Sequence, residues 1–168
     1  MKRTISIILL LLCVLAASAQ IQRKFLGITL GASTKAQVYE HLMKDNYEIK
    51  DAPSGGYVIE DVTFAGYEWH AVMFAFYDET LYSIAFFDDE TVTQKGLLNN
   101  NFKSLRSSLL KKYFNYFLFN SATTDYFSDN TITITLNLDE TSKHAILSLH
   151  YFYKPLLDLL SEEQETEL

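Results

Sequence analysis

The sequence predicts an α+β domain, an antiparallel sheet with helices packed on one face. Residues 131–138, Thr-Ile-Thr-Ile-Thr-Leu-Asn-Leu, alternate polar and apolar side chains strictly, the period of a strand with one buried face. Three further strand-like runs, 57–63, 67–77 and 81–87, are separated by Ala65-Gly66 and by Asp78-Glu79-Thr80, turns short enough to join only antiparallel neighbours. Two segments with helical spacing stand outside these runs, one after Thr34 and one through Phe102.

Residues 1–19 have the three parts of a secretory signal. Lys2 and Arg3 make a positive start, Ile5 to Ala16 form the apolar stretch, and Ala17-Ser18-Ala19 is a small-residue cleavage site before Gln20. That stretch is too short for a permanent membrane helix, and no later segment approaches spanning length. The expectation is a periplasmic or secreted protein, cleaved after Ala19, whose residues 20–168 form a single domain. A lipid anchor on Cys13 is the weaker alternative, because leucines rather than a small residue precede it. Cys13 is the only cysteine, so the processed chain has no disulfide, thiol nucleophile or thiolate metal site. The whole chain carries a net charge of −7, and losing Lys2 and Arg3 makes it more acidic still. An acidic surface repels phosphate backbones, so nucleic acid is not an expected partner.

Residues 25–30 are a short apolar run, a first strand or extended lead-in, ending at Gly31. Thr34 and Gln37 have capping-box spacing, and Val38, Tyr39, Leu42 and Met43 follow at helical intervals, predicting a helix over 35–45. Residues 51–56, with Pro53-Ser54-Gly55-Gly56, read as a loop. After the three strands, Asn99-Asn100-Asn101 offers caps for a second helix whose buried stripe is Phe102, Leu105, Leu109 and Tyr113. Strands are expected near 116–120 and 126–128, then over 131–138, paired with 143–153. Pro155 opens a short helix through Leu160, and residues 161–168 form an acidic, frayed tail. Helix, strands, helix, strands suggests two tandem helix-plus-sheet units, with halves 20–90 and 91–160.

Phe25-Leu26-Gly27-Ile28-Thr29-Leu30-Gly31 followed by Ser33-Thr34-Lys35-Ala36-Gln37-Val38 resembles the opening of the small outer-membrane assembly lipoproteins and of the β-lactamase-inhibitor-protein-like fold. Phe64-Ala65-Gly66-Tyr67 and the segment from Leu105 through Lys111-Lys112-Tyr113 look like small exported proteins on the same plan. The chain lacks the disulfide cysteines of the inhibitors and the acylation site of the lipoproteins, so no family site residue carries over. The resemblance implies a fold and a class, periplasmic binding or inhibition without catalysis.

Alternation also assigns faces. Ile132, Ile134, Leu136 and Leu138, with Ala145, Leu147, Leu149 and Tyr151, should meet the helices, leaving Thr133, Thr135, Ser148 and His150 on the other side. Among the earlier strands, Val72, Phe74, Phe76, Ile84 and Phe86 form the helix-facing set. The opposite set is Tyr67, Trp69, Ala71, Met73, Ala75 and Tyr77. A floor of small residues rimmed by aromatics suits protein recognition, so Tyr67, Trp69, Met73, Tyr77, Thr133, Thr135 and His150 are the candidate contacts. Alternatively the C-terminal helix or a partner subunit covers this patch, with Ala71 and Ala75 admitting close approach.

No catalytic, cofactor or metal motif emerges. His144 and His150 share a strand face but lie too far apart for one ion, and His41 is a boundary residue of the first helix. Asp88-Asp89-Glu90 and Asp78-Glu79 read as solvated strand and hairpin ends. The expected function is therefore an exported, non-catalytic protein-binding module, in a narrower version an inhibitor or immunity protein. The alternative is a structural or assembly factor of the bacterial envelope.

Overall fold

A computed structural model describes residues 20–91, 95–141 and 144–166. The expected signal, Cys13 and the end of the tail lie outside the described residues. The run at 25–30 is split by a turn. β1 (Lys24–Phe25) and β2 (Ile28–Thr29) form a minimal hairpin across Leu26 and Gly27, both at positive φ. α1 (Lys35–Lys44) begins at the predicted capping box, in which Thr34 Oγ1 accepts from the Gln37 amide and Gln37 Oε1 from the Thr34 amide. Its buried stripe is Val38 and Leu42.

A meander follows: β3 (Lys50–Asp51), β4 (Tyr57–Phe64), β5 (Tyr67–Tyr77) and β6 (Thr80–Thr91). α2 (Lys95–Tyr113) and one 3-10 turn lead to a second meander, β7 (Phe117–Asn120), β8 (Thr124–Ser128), β9 (Ile132–Glu140) and β10 (His144–Tyr153). α3 (Lys154–Thr166) ends the described chain. β3 to β10 make one antiparallel sheet in the order β3-β4-β5-β6-β10-β9-β8-β7. Helix and four strands thus occur twice, and the two copies join through the last strand of each.

The core lies between this sheet and α1 with α2. Val38 and Leu42 of α1, and Leu98, Phe102, Leu105, Leu109 and Tyr113 of α2, are buried with both helix-facing strand sets. Each large side chain so buried contributes about 1.5–3 kcal/mol. α2 starts a turn before the expected Asn99-Asn100-Asn101 caps. Leu98 extends the apolar stripe upstream, and burying it outweighs the weak helix propensity of the asparagines inside. The acidic end of β6 is likewise strand, because β10 pairs with it at Asp88↔Leu147 and Asp89↔Ile146. α3 runs beyond Leu160, so the expected tail is helical as far as Thr166.

Candidate functional site

The face turned away from α1 and α2 is ordered in rows. Register places Glu60, Ala71, Phe87, Ser148, Asn137 and Thr124 side by side across six strands. The next row is Val58, Met73, Ala85, His150, Thr135, Tyr126 and Phe119, from β4 to β7. At about 4.8 Å per strand it spans about 29 Å. The third row contains Ala75, Ser83, Phe152, Thr133 and Ser128.

α3 closes one end of this face. It leaves β10 at Tyr153, touches β10 and β6, and ends where the Tyr77 hydroxyl donates to Glu163. That contact raises the Tyr77 pKa, since ionising the phenol would set two negative charges side by side. The nine helical rises from Lys154 to Glu163 cover about 13 Å, enough to cross from β10 to β5. On this face Ser83, Ala85, Thr133 and Ser148 are buried although they face away from the core. Thr133 is satisfied there by Ser128, oxygen to oxygen at 3.2 Å. Apart from Ala85, which is buried, the row through Met73 and His150 stays half-exposed or exposed. The His150 ring meets Phe87 edge-on at 5.2 Å and stacks on Phe152 at 5.7 Å, and this burial lowers its pKa.

Of the seven predicted contacts, Met73, Thr135 and His150 lie together on the uncovered row. Tyr77 and Thr133 share their face, Tyr77 held by α3 and Thr133 buried. Trp69 and Tyr67 do not belong there. Trp69 is 1% exposed, packed on Phe86 with its indole N–H donating to the Phe64 carbonyl, and the Tyr67 hydroxyl donates to Ser104 of α2. The cause is a paired switch of face in β4 and β5. Ile59 and Val62 are both buried, as are Trp69 and Val72, while the register Glu60↔Ala71 and Val62↔Trp69 is unbroken. At the switch Asp61 adopts φ 54°, a left-handed conformation that Asp tolerates better than most residues. Beyond it the hairpin turns its other side to α2. Strict alternation therefore misassigns the hairpin side chains between Asp61 and Ala71, Tyr67 and Trp69 among them.

Phe87, Tyr126 and Phe119 were not singled out in sequence, yet complete the uncovered surface; Phe119 and Tyr126 stack at 5.3 Å. Alternation counted back from Thr131 through β8 carries part of that signal. The pairing that joins Phe87 to His150 is between strands far apart in the chain.

Where the β4–β5 hairpin leaves β6 there is an open cleft of about 720 Å³, whose lining includes Asp61, Thr63, Glu68, His70, Asp88 and Asn101. No group of three or more His, Asp or Glu is placed to hold a metal ion among the described residues. His144 lies 3.6 Å from the Asp89 carboxylate, and His41 lies 3.5 Å from Asp45, one helical turn on. No helix among the described residues is long and apolar enough to cross a membrane. No family model matches the chain, and neither a curated protein nor a solved structure matches it.

Proposed function

We propose that the chain is an exported, non-catalytic protein-binding module, and that its ligand surface is the uncovered part of the sheet face. The observation that supports this is the row Val58, Met73, His150, Thr135, Tyr126 and Phe119, half-exposed or exposed, with the small buried Ala85 between Met73 and His150, about 29 Å from end to end. Small-molecule sites are concave and enclose their ligand. This surface is broad, and α3 is a wall at one end only. Rings fixed against one another, as Phe87, His150 and Phe152 are, lose little entropy on docking. A chain of net charge −7 is steered to a basic partner, which suits an inhibitor or immunity protein that occludes a basic active site. The envelope-assembly reading draws on a different feature, the uncharged strand edge at β7.

The test is capture from an envelope extract by the wild-type chain, by Met73→Lys/Thr135→Arg, and by Met43→Lys on exposed α1 surface, all checked for folding by circular dichroism. The expected result is one partner captured by the wild type and by Met43→Lys and lost by the double variant. Equal retention by all three, or no partner, removes this face from consideration.

A further inference from the structure

We propose that β7 is a self-association edge, along which two copies of the chain join antiparallel into one continuous sheet. The sheet has two edges, and they differ in how strongly they block pairing. β3 is two residues long, both charged, and Lys50 is paired to Glu60 of β4. β7 is Phe117-Leu118-Phe119-Asn120, and residues 113–124 contain no Asp, Glu, Lys or Arg. Edges that must stay single are kept short, charged or interrupted by proline. β7 is four residues long with a bulge between Phe117 and Phe119, but it carries neither charge nor proline, and at that bulge Leu118 stands out to solvent.

The apolar area is sufficient. Phe114 is 72% exposed, Leu118 58% and Phe119 55%. At ordinary side-chain sizes these three present roughly 400 Å² per copy. Doubled, and with the backbone of both strands added, the buried area reaches the roughly 1,000 Å² at which specific interfaces begin.

Charge selects the same geometry. Two copies of an acidic chain repel each other, and the repulsion is least where the contact is uncharged and flanked by Lys111 and Lys112. A two-fold contact requires a patch complementary to itself, and antiparallel β7 strands set Phe and Leu against Phe and Leu. The alternative of β7 pairing with β3 of the next copy would grow a fibre, and the charged two-residue β3 opposes it. The assembly therefore closes at two. Phe119 belongs both to this edge and to the sheet-face row, so Leu118, which lies outside that row, is the position that separates the two readings.

The experiment is sedimentation velocity on the purified chain, expressed with its leader, over a wide concentration range, with amide exchange read at Leu118 and Asn120. A dimer that dissociates on dilution is expected, with both amides slowed in the dimer. Leu118→Lys and Phe119→Lys place a like charge twice at the joint and should each raise the dimer Kd about tenfold or more. Met43→Lys adds the same charge elsewhere and should leave Kd unchanged. Both β7 positions are exposed, and circular dichroism confirms that the variants fold. A wild-type chain monomeric throughout, or a dimer that survives both variants, overturns the proposal.

Discussion

Asp125 is wholly buried on β8, and Arg106 of α2 is what makes that burial tolerable. The guanidinium donates from Nε to Oδ2 at 2.6 Å and from Nη2 to the Ser121 carbonyl at 2.9 Å, while Oδ1 accepts no hydrogen bond. Arg106→Met would strand the carboxylate in an apolar setting, and about 3–5 kcal/mol of stability should be lost, read from urea midpoints. Arg106→Met/Asp125→Leu should recover most of that loss, because it removes the stranded charge with its partner. His150 has a different consequence. Its pKa lies below the ordinary 6.5, so the unfolded chain takes up the proton more readily than the folded one. Its contribution to stability is full above about pH 6.5 and is lost as pH falls from there through the folded-state value. The urea midpoint of the wild type should therefore fall relative to that of His150→Gln as pH drops from about 7 to about 5, and the difference should stay flat above about 7.

At the scale of elements, the helices and most strands are legible because their signals are local. The Thr34–Gln37 box fixes the start of α1, and the alternation from Ile132 to Leu138 fixes both a strand and its buried side. What escapes a local reading is set by a neighbour. Asp88 and Asp89 look like a strand end until β10 pairs with them, and Trp69 looks like surface until Asp61 turns the hairpin. The polar pair Glu60-Asp61 inside an apolar run is the one sequence trace of that turn. Thr133 and Ser148 likewise read as solvent-facing, and by period they are on that side. Their burial is set by neighbours that strand period does not name, Ser148 standing between Phe87 and Asn137 and Thr133 beside Phe152 and Ser128.

At the scale of the whole molecule, two helix-plus-meander halves share one sheet through the β6–β10 ladder, which runs from Thr91↔His144 to Ser83↔Phe152. A ladder of that length couples the halves, so thermal unfolding followed by far-ultraviolet and aromatic circular dichroism should give a single coincident transition. Two separate transitions would show that each half is stable alone. The order of strands was not legible, since nothing local marks β6 and β10 as neighbours. It has a kinetic consequence. β6 ends at Thr91 and its partner begins at His144, so a chain emerging from its N-terminus displays a finished four-strand meander with one margin bare while the intervening residues are still arriving. Closing that margin is the most distant contact in the sheet and the one with the largest loop to close, so it is the step that should set the folding rate. During that interval the nascent chain is most open to wrong pairing, and a chaperone that shields the bare margin would act at this step.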